Sequence, residues 1–308
     1  MNDYHALALP VRAKPTVALA LSTGGARGLA HIGAIEAIEA AGYRVVGVSG
    51  SSMGALIGGI YAAGKLDVYR DWVIALQKMD VLKLVDWTLS GAGLIKGERI
   101  IGVLRELIGD VDIEDLPMAF TAVATDLDRE REVWLTRGSL FDAIRASIAI
   151  PTIFRPHPLH GHRLVDGGLM NPLPLTPLLQ SPSDYTMAIN ANGPPETLPA
   201  APATALKPRR GLRSKIAAYV KRTIASHAET GSEPGWTATL TQALDLMQEN
   251  LTSFRLAADR PDLVIEVPRN ASAVYEFYRA SELIDLGRER ARRALAAWQP
   301  AHLHPEQD

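Results

Sequence analysis

The sequence contains no cysteine, and this absence excludes disulfide bonds, thiolate metal ligands and a cysteine nucleophile. It also fits a reducing compartment, so we expect a cytoplasmic protein. A strong charge of either sign is lacking as well, because the formal net charge of the 308 residues is −2. A chain this close to neutral gives no reason to expect nucleic acid as its main partner.

The chain does not open on a long apolar run. Its N-terminal stretch, MNDYHALALPVRAKP, carries an early acidic residue and two prolines, which is not the pattern of a secretory signal. Residues 45–64 lack charge and are nearly numerous enough to cross a bilayer. However, they are rich in glycine, serine and alanine, and a β-branched run gives way to helical spacing. We therefore predict a strand that enters a buried helix.

Apolar residues are plentiful, at 47% of the chain against 21% charged residues, which indicates a globular protein with a large core. Short apolar runs alternate with amphipathic segments from the first strand, Thr16–Ser22, onwards. This order favours an α/β fold with parallel strands joined by right-handed crossovers. Further strands are predicted in MAFTAVATDL, EVWLT, RLVDGG, DYTMAINAN and PDLVIEVP, and further helices in DWVIALQKMDVLKLV, KGERIIGVLRELIG, SLFDAIRASIAI and SELIDLGRERARRALAAW.

One domain accounts for most of the chain. We assign it to residues 15–298, between tails at 1–14 and 299–308. Composition changes at about 193–235, where a stretch rich in proline and alanine precedes a basic segment. Because a helix and a strand follow, this region is interpreted as an insertion within the domain rather than a boundary between two domains.

The first motif with chemical meaning is GSSMG, which matches G-x-S-x-G and centres on Ser52. That pattern marks a serine presented on a sharp turn between a strand and a helix. A serine hydroxyl needs a neighbouring base to become a nucleophile, while the N-terminus of the following helix favours developing negative charge. The alternative is a turn of small residues packed beneath a helix, but the predicted strand and helix around it favour the nucleophile.

The second motif, STGGARG, also lies between a strand and a helix and so forms an anion site. A dinucleotide-binding loop would need G-x-G-x-x-G, whereas the glycines here are Gly24, Gly25 and Gly28. The second strand then ends at Ser52 instead of an acidic residue for a ribose. An oxyanion hole beside Ser52 explains both loops, because adjacent parallel strands bring their C-terminal ends together.

A third motif, LVDGG, places Asp166 before two glycines at the end of an apolar run. An Asp-Gly turn is structural in most proteins, but a serine nucleophile needs a base. The eight histidines do not offer one in the usual Ser-Asp-His order. We interpret His157, His160 and His162 as a polar surface loop in preference to a metal site, and His31 as a packed residue.

The three motifs STGGARG, GSSMG and VDGG, in this order and each after a strand, resemble the patatin-like phospholipase family, especially its compact bacterial members. ATDL, IRASIAIPTIF and RPDLVIEV also resemble segments of that family. The resemblance covers most of the chain, from about Pro15 to Trp298, without the insertion. It implies a three-layer α/β/α fold with a mostly parallel central sheet.

The resemblance also implies a Ser–Asp dyad that works without histidine, metal or cofactor. Ser52 is then the nucleophile and Asp166 the general base. Gly24 and Gly25 would supply oxyanion-hole N–H groups, with Arg27 steadying the loop or the anion. The implied reaction is hydrolysis of an acyl ester, commonly in a lipid, through an acyl-enzyme.

Two other functions stay open at this point. An ordinary α/β-hydrolase would use a Ser-Asp-His triad, and a catalytically weak protein could keep the fold and sense lipids. The chain also departs from the family pattern at Thr23, where a glycine is usual. A positive φ at that position would strain a β-branched residue.

The insertion carries a hypothesis of peripheral membrane contact. Leu212, Ile216, Val220 and Ile224 are spaced four apart among seven lysines and arginines in residues 207–224. A basic amphipathic helix of this kind suits an anionic lipid surface. The other interpretation is that its apolar face packs on the protein's own core.

Overall fold

The computed structural model of the protein describes residues 14–84, 93–197 and 236–298. The α-helices are α1 (Ala30–Ala40), α2 (Met53–Ala62), α3 (Leu66–Ala75), α4 (Lys78–Lys83), α5 (Glu98–Ile108), α6 (Leu140–Ser147), α7 (Trp236–Asp259) and α8 (Ala280–Ala297). The strands are β1 (Thr16–Leu21), β2 (Arg44–Ser51), β3 (Gly93–Ile95), β4 (Ala119–Asp126), β5 (Arg131–Leu135), β6 (Thr152–Phe154), β7 (His157–Leu159), β8 (His162–Asp166), β9 (Tyr185–Gly193) and β10 (Leu263–Pro268).

Eight of these strands form the central sheet, in the order β10-β9-β1-β2-β4-β8-β7, with β5 also pairing with β4. The five neighbours from β10 to β4 run parallel, whereas β5 and β8 pair with β4 in the antiparallel sense. A second, two-stranded sheet joins β3 to β6. The predicted α/β fold with a mostly parallel sheet is therefore confirmed.

The central sheet is covered on both faces, as the alternation along β1 shows. Val17, Leu19 and Leu21 face a large core built with α1, α2, α6 and α8. Ala18 and Ala20 face a smaller apolar cluster to which the segment 173–178 and α7 contribute. Successive side chains of a strand point to opposite faces, so the sheet is the middle of three layers.

The predicted helix in DWVIALQKMDVLKLV is two helices in the structure. The chain leaves α3 at Leu76, whose ψ of 125° is extended, and α4 begins two residues later. Gln77 and Asp80 form a capping box, in which the Gln77 N–H donates to the Asp80 carboxylate at 3.2 Å. This exchange of hydrogen bonds starts a new helix and ends the old one.

The histidine-rich segment is a β-hairpin, so the prediction of a polar surface loop was wrong. Strands β7 and β8 pair in the antiparallel sense and extend the sheet beyond β4. The turn between them has positive φ at both central residues, 50° at His160 and 80° at Gly161. Such a turn matches the twist of paired strands and is typical of a hairpin. The many histidines of the segment had indicated a loop instead.

The uncharged stretch 45–64 contains all of β2 except Arg44 and the whole of α2, as predicted. Across the described ranges, no helix combines the length and the apolar character needed to cross a membrane. The basic segment 207–224 lies outside the described residues. Its membrane contact, like the domain limits, stays a prediction.

Candidate active site

Ser52 lies on the turn between β2 and α2. Its φ of 55° and ψ of −122° are a backbone conformation that residues other than glycine rarely adopt. The turn is tight on both sides. A Cβ added to Gly50 would lie 2.2 Å from the carbonyl carbon of Gly54, and one added to Gly54 would lie 2.1 Å from the Leu21 oxygen. Small neighbours therefore hold the serine on the turn, where α2 begins.

Asp166 ends β8 with its side chain buried. The carboxylate Oδ1 accepts a hydrogen bond from the Gly168 N–H at 2.7 Å. The Asp166 N–H donates to the Ala149 carbonyl at 3.0 Å, and the Thr125 hydroxyl donates to the Asp166 carbonyl at 3.0 Å. The carboxylate Oδ2 is buried without a hydrogen bond of standard geometry, so one oxygen is anchored and the other is open.

Strand β4 brings the two motifs together. It pairs with β2 on one side, where Val123 faces Ser51, and with β8 on the other, where Ala124 faces Asp166. Consecutive residues of β4 thus adjoin the turn that carries Ser52 and the strand end that carries the carboxylate.

Ser147, at the end of α6, ties the serine turn to the sheet. Its hydroxyl accepts a hydrogen bond from the Ser52 N–H at 2.9 Å and donates to the Val123 carbonyl at 2.6 Å. Sequence reasoning did not single out this residue. Ser147 lies in the stretch IRASIAIP, whose resemblance to the family is the signal that could have pointed to it.

Burial dominates the electrostatics of Asp166 and raises the pKa of its carboxyl to about 6. Hydrogen bonding by the Ser52 hydroxyl and the Gly168 N–H acts in the opposite direction. The hydroxyl therefore lies close enough to the carboxylate to affect its pKa, even though Oδ2 has no bond of standard geometry. A carboxyl with this pKa is mostly ionised at neutral pH and can accept a proton there.

The loop after β1 presents two unused backbone donors. Within the described residues, the N–H groups of Gly24 and Gly25 have no acceptor, whereas those of Thr23 and Ala26 are bonded to backbone carbonyls. Gly25 has a φ of 53°, and a Cβ there would lie 2.7 Å from the Val274 oxygen. The loop thus depends on glycine and leaves its donors open, as an oxyanion hole requires.

Arg27 makes the contacts of a residue that steadies this loop. Its guanidinium donates to the carbonyls of Arg269 and Ser272 at 3.0 and 3.5 Å, and to Asn192 Oδ1 at 2.7 Å. Burial lowers its pKa. These contacts fix the guanidinium against the segment 269–272 and β9, while its role towards the loop or the anion stays a prediction.

Thr23 is not strained. Its φ is not positive, so the strain expected for a β-branched side chain does not arise. Its hydroxyl donates to Gln248 Oε1 at 3.0 Å and accepts from Asn192 Nδ2 at 2.9 Å. The threonine therefore joins the glycine loop to α7 and β9, which a glycine could not do.

Ser52, Asp166 and the glycine loop share one cavity of about 380 Å³. Most of its wall is apolar and comes from α2 to α5 and the segment 148–154. The apolar residues include Leu56, Trp72, Val73, Leu104, Ile148 and Phe154.

None of the histidines within the described ranges lines this cavity. His31 is buried, with Nε2 2.9 Å from the Ser22 carbonyl, and burial lowers its pKa to about 4. It is a packed residue, as predicted. His157, His160 and His162 belong to the hairpin.

Among the described residues, the hairpin histidines do not converge on a metal site of their own. Only His162 joins a group of possible ligands, with Asp126 and Asp128, whose ligand atoms lie within 4.8 Å of one another. Both carboxylates already have partners: Asp128 accepts from the Arg163 side chain at 2.8 Å, and Asp126 accepts from the Arg129 N–H at 3.1 Å.

The geometry defines a class of protein: a three-layer α/β/α fold that carries a serine on a turn between a strand and a helix. The model of the family described as patatin-like phospholipase matches residues 19–179, which contain all three motifs. The chain belongs to this family.

Two kinds of relative are similar to this chain. An uncharacterised NTE family protein from Mycobacterium bovis is 39% identical over 343 aligned residues, which cover 95% of each chain, and one from Mycobacterium tuberculosis gives the same values. A neuropathy target esterase from Drosophila melanogaster is 32% identical over 189 residues, covering 59% of this chain and 13% of that protein. Among solved structures, VipD from Legionella pneumophila has a TM-score of 0.40 and 13% identity, over 92% of this chain and 67% of that one.

Proposed function

We propose that the protein hydrolyses acyl esters of lipids, as a phospholipase A or lysophospholipase does, through a Ser52–Asp166 dyad. The observation that carries the proposal is the meeting of a strained serine and a buried carboxyl in one mainly apolar cavity of about 380 Å³. Burying an acyl chain there is favourable by about 25 cal/mol per Å² of apolar surface. The family description and the name of the Drosophila relative support an ester substrate.

In the first half-reaction, the Ser52 Oγ attacks the acyl carbonyl carbon while its proton passes to the Asp166 carboxylate. The carbonyl oxygen becomes an oxyanion, which the N–H groups of Gly24 and Gly25 stabilise together with the N-terminus of α2. When the tetrahedral intermediate collapses, the alcohol leaves with the proton from Asp166, and the acyl group remains on Ser52.

In the second half-reaction, a water molecule replaces the alcohol. Asp166 takes a proton from this water while the water oxygen attacks the acyl carbon. The N–H groups that stabilised the first oxyanion stabilise the second one as well. Collapse of the second intermediate releases the fatty acid, and the proton returns from Asp166 to the Ser52 oxygen. Each half-reaction thus uses the same base and returns it to its ionised form.

A histidine-dependent triad is a weaker explanation of the same serine. The histidines among the described residues do not line the cavity, whereas Ser52 and Asp166 both do, and hydrogen bonding by the Ser52 hydroxyl acts directly on the pKa of the Asp166 carboxyl. A lipid sensor without turnover would have no use for a carboxyl whose pKa is raised to about 6 beside a serine.

Covalent labelling tests the proposal. A fluorophosphonate should modify Ser52 in the wild-type protein, as mass spectrometry of the labelled peptide would show. A panel of phospholipids, lysolipids and short-chain esters of one fatty acid should then identify a hydrolysed substrate. A protein that is not labelled and releases no fatty acid from any ester would favour the lipid sensor instead.

A further inference from the structure

Asp245, on α7, is a charged residue of the cavity wall. The cavity wall contains three charged side chains among the described residues, Arg27, Asp166 and Asp245. The guanidinium of Arg27 is bonded to protein acceptors, and Asp166 is the proposed base. Asp245 makes neither a hydrogen bond nor an ion pair within the described part of the chain, so its carboxylate is available to a ligand.

The position of Asp245 relates it to the alcohol half of an ester. Gln248, three residues after Asp245, accepts a hydrogen bond from Thr23 at 3.0 Å. Residues three apart lie on the same face of a helix. The carboxylate therefore lies on the helix face that contacts the glycine loop. The apolar wall that suits an acyl chain comes mainly from α2 to α5 and the segment 148–154, which leaves the α7 side for the alcohol.

The surrounding charges favour a neutral donor over a cation. Partial burial raises the pKa of Asp245, while Arg27 and Arg269 oppose this effect. Arg269 itself pairs with Glu249, and Asp245 remains exposed at the cavity rim. A permanent cation bound here would meet two guanidinium groups, whereas a hydroxyl could donate a charge-assisted hydrogen bond to the carboxylate without that repulsion.

We infer that Asp245 accepts a hydrogen bond from a free hydroxyl on the leaving alcohol, and so selects glycerol-type esters over esters of simple alcohols. The inference rests on the proposed function and assigns the alcohol side of the same site. It also gives a binding role to α7, which follows the part of the chain that the family model matches.

The test compares three esters of one fatty acid on the full chain: a 1-acylglycerol, an ethyl ester and a choline ester. In Asp245→Leu, kcat/KM for the acylglycerol should fall about tenfold, which is the usual contribution of a hydrogen bond to a charged group. The ethyl ester, which has no hydroxyl, should be hydrolysed as before. Asp245→Asn should fall between wild type and Asp245→Leu on the acylglycerol, because its amide oxygen still accepts from a hydroxyl but without the charge.

Asp259→Asn is the matched control, since it removes the same charge from the far end of the same helix, outside the cavity wall, and its amide oxygen can still accept from the Thr176 hydroxyl. It should leave the ratio of acylglycerol to ethyl ester activity unchanged. An equal fall for both esters in Asp245→Leu, or a fall limited to the choline ester, would overturn the inference. Labelling of Ser52 and turnover of the ethyl ester report the proposed function separately. If the wild type shows neither labelling nor ethyl ester turnover, the proposed function and this inference fail together. If the wild type shows both, but the ratio of acylglycerol to ethyl ester activity does not change in Asp245→Leu, the inference alone fails.

Discussion

Two turns at the C-terminal ends of the neighbouring parallel strands β1 and β2 have different tasks in the proposed reaction, although both lead towards a helix. The turn after β2 carries a serine side chain on a strained backbone. The loop after β1 offers no reactive side chain, only the N–H groups of Gly24 and Gly25. A task carried by a side chain is lost when one atom is removed. A task carried by backbone N–H groups is lost only when an added side chain moves those groups. The β2 turn should therefore be sensitive to shortening a side chain, and the β1 loop to enlarging one.

The largest effect is expected from Ser52→Ala, which removes one oxygen from the β2 turn. Turnover should fall about 10⁶-fold, as it does when other serine nucleophiles are deleted. The fold should persist because the change only shortens a side chain. Fatty-acid release by wild type and mutant, purified in parallel, measures the effect. Hydrolysis by the mutant at the wild-type rate would show that Ser52 is not the nucleophile.

Asp166→Asn should be the next most damaging change. An amide cannot accept the serine proton, and a general base contributes about 10²–10⁴-fold to turnover. The matched control replaces His157, His160 and His162 together by glutamine, which should have little effect. Kinetics of both proteins on one ester separate a dyad from a triad. A dead histidine mutant beside an active Asp166→Asn would reverse the assignment.

Gly25→Ala probes the backbone task of the β1 loop. The added Cβ would lie 2.7 Å from the Val274 oxygen, so the loop must shift and its N–H groups must move. Loss of one oxyanion donor reduces turnover about 10²–10³-fold. Gly42→Ala is the control, because Gly42 also has a positive φ, 94°, but no atom lies within 4 Å of its added Cβ. Equal turnover in the two mutants would argue against an oxyanion role.

The pH dependence should show the smallest effect. Asp166 must be ionised to take the serine proton, so kcat/KM for a soluble ester should fall as the pH drops through about 6, by about tenfold per pH unit. Stability should change in the opposite sense. The folded-state pKa is raised, so the contribution of this group to stability is present at low pH and is lost as the pH rises through about 6. An activity profile that is flat across this range would contradict the role of Asp166 as base.

Local pattern was enough to predict much of the fold. The runs around β1, α1, β2 and α2 have clear periods and stop signals, and the helix of residues 280–297 and the last two strands were also recognisable. The two helices α3 and α4 could not be separated, because their break depends on hydrogen bonds between Gln77 and Asp80. The strand β8 was predicted from RLVDGG, but β7 and the turn before β8 were missed because the histidines indicated a polar loop.

The site was predicted only in part. Motifs gave the residues of the dyad and the loop, whose catalytic roles remain predictions, but the contacts between motifs were not readable. Ser147 reaches Ser52 across 95 positions of sequence, and Thr23 reaches Gln248 across 225. The raised pKa of Asp166 is a consequence of burial, which no local pattern encodes.

The position of β1 in the sheet affects how the protein can be divided. The family match ends at residue 179, yet β1 lies between β2 and β9, and β9 begins at Tyr185. A recombinant fragment cut after the matched region would turn an interior strand into an open edge, with a row of unpaired backbone groups. Such edges recruit strands from other molecules. We therefore expect the fragment to self-associate, whereas the chain that retains β9 and β10 covers this edge itself.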